Sequence, residues 1–223
     1  MNFLRKVLAI VEKDIAAELH TKEVVSAMLV FSALASLIFS FALDLRGDVA
    51  EAAAPGVLWT TIAFAGTLGL SRSMAREEQT GCIDGLLLAP VDRTAIFLGK
   101  ALGNVIFMAI VEIFLLPLFS VFFDVALLRP QVLLVLSLGT LGYAAVGTLL
   151  ATIAVNTRAR EVMLPVLLLP LAVPVLIGAV QATSGLLEGA TLNQVSGWIR
   201  ILIVYDLVIL AVSLLTFDYV VQE

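Results

Sequence analysis

The stretch VVSAMLVFSALASLIFSFAL, residues 24–43, decides the fold class of this chain because it runs for a full membrane span without a charged side chain. A helix of about 20 apolar residues is long enough to cross the hydrocarbon core of a bilayer. Five comparable runs follow, at 55–71, 95–123, 131–155, 162–182 and 199–217. The sequence therefore predicts an all-α integral membrane protein with six transmembrane helices.

The composition agrees with a membrane protein. Hydrophobic residues make up 61% of the 223 residues, and the mean hydropathy is +1.09. A soluble chain of this length could not bury that much apolar surface, so lipid must cover the remainder. The single cysteine, Cys82, excludes an intramolecular disulfide, a zinc cluster and a c-type haem attachment motif. The net charge of −5, without a polybasic cluster, gives no indication of nucleic-acid binding.

Basic residues are distributed unevenly among the loops. Those that precede the first span or lie near the second-to-third and fourth-to-fifth connections are Arg5, Lys6, Lys13, Lys22, Arg72, Arg76, Arg93, Lys100, Arg158 and Arg160. The opposite loops hold only Arg46, Arg129 and Arg200. Because short cytoplasmic loops carry an excess of lysine and arginine, we predict that both termini are cytoplasmic. Trp59 and Trp198 then fall on the outer side, where indole rings favour the headgroup level.

Residues 1–23 are predicted to form an amphipathic helix in the membrane interface before the first span. Apolar side chains recur there at spacings of three and four residues, at Leu4, Leu8, Val11, Ile15 and Leu19. Charged residues lie largely outside this stripe, which is the pattern of an interfacial helix. A cytoplasmic extension of the first span is the alternative.

The second cytoplasmic loop, residues 72–94, combines charge, helix breakers and an apolar face. Its Arg-Glu-Glu run favours a short helix, its two glycines allow that helix to end, and its proline forces a break. Residues 86–88 can dock on the membrane, and Asp92 or Thr94 can cap the third span. Such a helix would offer a docking surface to a cytoplasmic partner; a plain solvated loop is the alternative. The residues assigned to this surface are Arg76, Glu77, Glu78, Gly81, Gly85 and Pro90.

Two carboxylates interrupt otherwise apolar spans. Glu112 lies near the middle of the third span and Asp206 lies in the sixth. A charge at such depth costs about 2.5–3.5 kcal/mol on insertion scales, and these residues usually face a bundle interior or a cavity. Glu112 and Asp206 are therefore candidate intramembrane functional residues. Two pairings stay open from the sequence: Glu112 with Asp206, and Arg200 with Asp206 along one helix.

Small residues recur at four-residue spacing within several spans, which favours close helix packing over the lining of a transport path. They are Ser32, Ser36 and Ser40, Gly99 and Gly103, and Gly147 and Ala151.

The fifth span and its outer connection contain helix breakers. Pro165, Pro170 and Pro174 are expected to break the span repeatedly, with neighbouring helices satisfying the freed carbonyls. Residues 183–198 are too polar to span the membrane and too long for a tight turn. We predict a short re-entrant or interfacial segment there.

The chain lacks the residues of a nucleotide-binding enzyme. Its only Gly-Lys pair, Gly99-Lys100, has no glycine at the upstream position of a P-loop and is followed by Ala101. An intramembrane enzyme would need paired acids, a histidine cluster or a Ser-Lys dyad at membrane depth, and only isolated carboxylates are available. We therefore predict that the chain is not an enzyme and holds no metal, and that any ATPase is a separate polypeptide.

Several segments carry a resemblance to a known family. They are APGVLW at 54–59, the loop at 77–90, LPVLLLPLAVPVLI at 164–177 and the final FDYVVQE at 217–223. With the sequence around them, they resemble the CcmB family, haem exporter B, which is the membrane permease of the bacterial cytochrome c maturation ATP-binding cassette system. The similarity runs almost from end to end.

The resemblance implies one permease domain over residues 1–223, similar to the ABC-2 (type-2 exporter) permeases, in the bacterial inner membrane. It also implies that the 72–94 loop couples to a CcmA-like ATPase, that permeases pair as homodimers, and that CcmC-like, CcmD-like and CcmE-like haem-handling proteins assemble with them. Haem would be the cargo, or ATP would drive release of a haem-loaded chaperone. An efflux permease for a lipid or another amphipathic compound and a non-transporting membrane scaffold are the alternatives.

Overall fold

The computed structural model describes residues 3–42, 48–82, 85, 91–155 and 160–220, and within these ranges it contains long helices and no strand. The helices are α1 Phe3–Thr21, α2 Glu23–Ala42, α3 Asp48–Gln79, α4 Arg93–Phe123, α5 Pro130–Val155, α6 Arg160–Leu187 and α7 Ser196–Val220. Helices α2 to α7 each contain an apolar window long enough to cross a membrane, with mean hydropathy between 1.4 and 2.6. The predicted all-α membrane fold with six spans is confirmed.

Helices α3 and α5 form the centre of the bundle. Within their apolar windows, 72% and 67% of the residues are buried, against 22% for α2 and 17% for α7. Helix α5 packs against α3, α4, α6 and α7. The outer helices expose leucine, isoleucine and valine along their length. A contiguous apolar surface of this kind is stable only where lipid covers it.

Small residues mark the closest helix contacts, as the sequence predicted. Ser32 and Ser36 of α2 are buried, and the Ser36 hydroxyl donates to the Ser32 carbonyl at 2.6 Å. A Cβ atom at Gly99 would lie 2.8 Å from the Cβ of Ile10, and one at Gly147 would overlap Leu70. The small-residue pairs therefore serve helix packing.

Helix α3 is longer than the predicted second span. It continues to Gln79, so the Arg-Glu-Glu run at 76–78 forms its last turn and not a separate short helix. Gly81 then has a φ of 65°, a left-handed conformation that glycine adopts without steric cost. The expected helix end at Gly81 is confirmed, but the helix that ends there is the second span itself.

Helix α6 runs through all three of its prolines, contrary to the expectation that they break it. A neighbouring helix supports this region, because the Tyr205 hydroxyl donates to the Leu171 carbonyl at 2.9 Å. This contact lies close to Pro170 and Pro174, although the carbonyls that these two prolines leave without a helical donor are those of Val166 and Pro170. The broken span was therefore a wrong prediction.

The outer segment predicted over 183–198 does not form a separate element. Residues 183–187 complete α6, Ser196 begins α7, and the chain between them consists of turns with Gly189 at a φ of 89°. Trp59, expected at the headgroup level, is 1% exposed and donates to the Thr183 hydroxyl at 3.1 Å. Helix α6 offers Trp59 a hydrogen-bond acceptor inside the bundle, which is what a buried indole requires.

Candidate functional site

Helix α1 lies against α4 at the end of the bundle where α3 ends and α4 begins. Val7, Ile10 and Val11 form its buried apolar face. Leu4, Leu8 and Leu19 of the predicted stripe stay exposed on another side of the helix. Helix α1 thus has one face in the protein and a second apolar face that is exposed, and its position in the membrane interface stays a prediction.

Four charged side chains form a closed ring of ion pairs where α1 meets the end of α3 and the first turns of α4. Lys13 and Asp14 come from α1, Glu77 from the last turn of α3, and Lys100 from α4. Lys13 Nζ lies 3.0 Å from Asp14 Oδ1 and 2.9 Å from Glu77 Oε1. Lys100 Nζ donates to both Asp14 oxygens, at 2.9 and 2.8 Å, and also contacts Glu77 Oε1. We call this alternating set the charge ring.

The charge ring is mostly withdrawn from solvent. The side chains of Lys100, Asp14 and Glu77 are 4%, 9% and 10% exposed, and that of Lys13 is 35% exposed. Burial of an isolated charge is very costly, and an opposite charge with good hydrogen bonds is what offsets it. Two cations and two anions balance here, and each side chain is tolerated because it contacts two side chains of opposite charge.

Glycine positions allow α1 to approach closely enough for this ring. At Gly99 the Ile10 side chain fills the space that a Cβ would occupy, and at Gly103 the Asp14 carboxylate lies 3.4 Å from the Cβ position. Gly99 and Gly103 are one turn apart on α4 and flank Lys100 on the same side of the helix. The glycine pair therefore places Asp14 beside Lys100.

A second set of contacts extends the cluster toward α2. Arg76 donates to the Thr21 hydroxyl at 2.7 Å and to the Ala17 carbonyl at 3.1 Å, and its Nη1 lies 3.8 Å from Glu18 Oε2. Glu18 Oε1 accepts from the Val25 backbone amide at 2.8 Å, in the first turn of α2. The end of α3 is thus fixed to α1, which is in turn fixed to α2.

The predicted caps of the third span are only half right. Asp92 occupies the N-cap position of α4, but its side chain makes no capping hydrogen bond. Its Oδ2 accepts from Lys6 Nζ at 3.2 Å instead. This exposed ion pair adds a further contact between α1 and the entry to α4.

The structure changes the predicted docking surface of the 72–94 loop. Arg76 and Glu77, assigned to that surface, turn inward and bind groups of α1, so the expectation that both face outward is wrong, while a contact of Glu77 with a partner stays a prediction. Glu78 is exposed beside them, and Gly81 and Gly85 are exposed just beyond the helix end. The stretch that holds residues 86–88 and Pro90 lies outside the described residues.

The two intramembrane carboxylates lie apart from this cluster, and they do not pair with each other. Glu112 is 8% exposed and accepts a hydrogen bond from the Thr140 hydroxyl of α5. Asp206 is 5% exposed, and neither of its carboxylate oxygens has a hydrogen-bond partner among the described residues. One of these oxygens occupies the space in which a Cβ at Gly142 would lie. The open pairing of Asp206 with Arg200 is likewise not formed.

A polar seam that sequence reasoning missed joins α4 to α5. Asn104 donates to the Thr148 hydroxyl at 2.9 Å, one turn beyond Lys100 and two turns before Glu112 on the same side of α4. The Glu112 contact to Thr140 continues the seam. The spacing of Lys100, Asn104 and Glu112, four and then eight residues, is the sequence signal for this seam. Asp14 and Glu18 were missed because they resemble the solvated face of an amphipathic helix.

The cluster offers ion pairing between helices. Among the residues that the structure describes, no group of three or more His, Cys, Asp or Glu side chains is arranged to hold a metal ion. The cluster therefore has a structural role, since its ion pairs join the last turn of α3 to α1 and α4.

Comparison with known proteins places this architecture in a family. The family model described as CcmB protein matches residues 5–222. A protein named Heme exporter protein B from Pseudomonas aeruginosa is 29% identical over 159 residues, covering 70% of this chain and 71% of that protein. A protein of the same name from Rhodobacter capsulatus is 32% identical over 152 residues, covering 67% of this chain and 69% of that protein. A third, from Paracoccus denitrificans, is 27% identical over 155 residues, covering 69% and 71%.

Proposed function

This chain belongs to the CcmB protein family, and from that membership we propose that it is the permease subunit of an ATP-binding cassette transporter for c-type cytochrome biogenesis. The observation that carries the proposal is the family match over residues 5–222, together with relatives named Heme exporter protein B. The six apolar helices supply the membrane domain that such a subunit needs. It would export haem, or couple ATP hydrolysis to the release of a haem-loaded chaperone.

The ATPase acts, in this proposal, on the end of the bundle that carries the charge ring. The sequence lacks a P-loop, so ATP binds to a CcmA-like partner. A push on the chain beyond Gly81 reaches the last turn of α3, which the charge ring joins to α1 and α4. Buried and mutually paired charges hold this junction more firmly than exposed pairs would. One contact thereby moves three helices.

Copurification tests this proposal. The tagged chain is isolated from native bacterial membranes in mild detergent, and the bound proteins are identified by mass spectrometry. We expect an ATPase subunit, a second copy of the chain, and haem-handling membrane proteins of the CcmC, CcmD and CcmE types. A haem chaperone without any ATPase would favour the scaffold alternative. An ATPase whose loss leaves cytochrome c maturation intact would favour efflux of a lipid or another amphipathic compound.

The contact with the ATPase is best tested at Glu78. Reversing Glu77 would place a third cation next to Lys13 and Lys100 and would damage the fold, so it cannot report on docking alone. Glu78→Lys, on the exposed side of the same turn, introduces like-charge repulsion against a basic partner surface. We expect a normally inserted chain with reduced ATPase recovery and reduced cytochrome c yield. Normal values of both would remove this turn from the coupling surface.

We place the chain in the inner membrane with both termini in the cytoplasm, on the basis of the loop charges. Cys82, the only thiol, then faces the cytoplasm just beyond Gly81. A membrane-impermeant maleimide should label Cys82 in inverted vesicles and not in intact spheroplasts. Labelling from the outside would reverse the orientation.

A further inference from the structure

A cleft of about 130 Å³ opens beside the charge ring, between α1 and the last turns of α3. Val24 and Phe107 belong to its apolar lining, and Cys82 is also among the lining residues. Pockets for drug-sized ligands are about 300–1,000 Å³. This cleft is too small for such a ligand and fits the head of a single side chain.

Two carboxylates that line the cleft each have one buried oxygen without a hydrogen bond. These atoms are Glu18 Oε2 and Glu77 Oε2, for which no described residue supplies a donor. Their side chains are 8% and 10% exposed. Native proteins rarely leave buried acceptors unpaired, and carboxylates least of all. Both oxygens would therefore be stabilised by a hydrogen-bond donor that enters the cleft.

The cations near the cleft are already engaged with other atoms. Lys13 and Lys100 contact Asp14 and the other oxygen of Glu77. Arg76 donates to Thr21 and Ala17, and its closest approach to Glu18 Oε2 is 3.8 Å, beyond hydrogen-bond distance. Among the described residues, these cations therefore leave Glu18 Oε2 and Glu77 Oε2 without a donor.

We infer that the cleft receives an arginine or lysine side chain of the ATPase subunit, which donates hydrogen bonds to Glu18 and Glu77. The inference rests on the proposed function, since it identifies the contact through which that partner docks. Three carboxylates and two cations line the cleft, and Lys100 contacts two of these carboxylates, so the charges balance in number and the two unpaired oxygens are what favours a cationic donor. A guanidinium suits two neighbouring carboxylates because it presents several N–H donors in a fixed fork. The cleft lies at the start of the 72–94 loop, where the ATPase subunit is proposed to bind.

The test uses the full chain in lipid nanodiscs, where both faces are accessible, together with the purified ATPase subunit. The rate at which N-ethylmaleimide alkylates Cys82 is followed by mass spectrometry of the peptide that contains it. Glu18→Gln is the main variant, because its remaining carbonyl oxygen can still accept from the Val25 amide while its new amide group opposes a cationic guest. Glu12→Gln, at an exposed position of the same helix, removes the same charge as the control.

We expect the ATPase subunit to slow Cys82 alkylation in the wild-type chain and in Glu12→Gln. Glu18→Gln should bind the subunit about tenfold more weakly or worse and lose that protection, because hydrogen bonds to charged groups are the strong ones. Undiminished binding and protection in Glu18→Gln would overturn the inference and leave water as the occupant. Failure of the wild-type chain to bind the subunit at all would instead refute the proposed function.

Discussion

Two regions of this molecule bury charged side chains, and they do so in opposite ways. In the charge ring, Lys13, Asp14, Glu77 and Lys100 each contact two side chains of opposite charge. Within the membrane spans, Glu112 has one neutral hydroxyl as its partner, and Asp206 has no hydrogen bond from the described residues. The ring is a mutually dependent unit, whereas each intramembrane carboxylate stands alone.

This difference indicates how substitutions in each region should change the stability of the fold. Removing one member of a paired buried set leaves its partners uncompensated, so the loss is large. Removing an isolated buried carboxylate takes away a group that the fold has to accommodate at a cost. Retention of such a costly group is expected where function needs it. The ring should therefore govern folding and coupling, and the intramembrane carboxylates should govern activity.

The largest effect is expected for Lys100→Met. This change leaves Asp14 and Glu77 with only Lys13 as a counter-charge and should lower the free energy of unfolding by about 3–5 kcal/mol. Thermal stability of the detergent-solubilised chain, followed by fluorescence-detected gel filtration, measures the loss. Asp92→Asn is the control, since it removes a carboxylate that is 66% exposed and should change stability by at most about 1 kcal/mol.

The double variant Lys100→Met with Glu77→Gln sharpens this prediction. It removes one positive and one negative charge and leaves the Lys13–Asp14 contact in place. Stability should recover in large part relative to Lys100→Met alone, because no charge is left unpaired. Equal stability of the single and double variants would show that the ring does not act as a unit.

A smaller effect is expected for Gly142→Ala in the membrane interior. Its new Cβ would occupy the space of the Asp206 carboxylate, and overpacking of this kind costs about 1–3 kcal/mol. The cost should shrink in an Asp206→Ala background, where that carboxylate is absent. Gly56→Ala is the control, since a Cβ there would meet no atom within 4 Å. An equal loss of stability in both backgrounds would show that the cost at Gly142 does not come from contact with Asp206.

Glu112 tests whether the isolated carboxylates serve activity. Glu112→Gln keeps an oxygen that can accept from Thr140, so we expect normal insertion and a stability change of about 1 kcal/mol or less. Cytochrome c yield should nevertheless fall, and Glu112→Leu should lower it as well. If both variants keep full yield, Glu112 is a packing residue and the contrast between the two regions is limited to stability.

The smallest stability effect is expected for Asp206→Leu. The substitution replaces an unpartnered carboxylate with an apolar side chain of larger volume, so the gain from removing the buried polar group and the cost of added volume should nearly cancel. Melting temperature relative to the wild-type chain is the measurement. A loss as large as that of Lys100→Met would mean that Asp206 has a stabilising partner, and the contrast with the charge ring would fail.

The span pattern could be predicted because it depends on local properties of the chain. Uninterrupted apolar runs gave six membrane helices, and four-residue spacing of small residues identified helix contacts at Ser36 and Gly99. The helix end at Gly81 also followed from a local preference of glycine. The predictions that failed concerned tertiary context: α6 continues through its prolines inside the packed bundle, and Trp59 is buried because α6 offers it a partner.

The candidate site was predicted only in part, for the same reason. Arg76 and Glu77 were recognised as important, but their direction was wrong, since an exposed charge and a buried paired charge look alike in a sequence. By itself the sequence determined which segments enter lipid, because transfer of a segment depends on its own side chains. Only the tertiary structure decided the charge ring, which joins Asp14 to Lys100 across 86 positions and Lys13 to Glu77 across 64. The physical reason is that a buried charge is stable only beside its counter-charge, and which helix faces meet depends on the packing of the whole bundle.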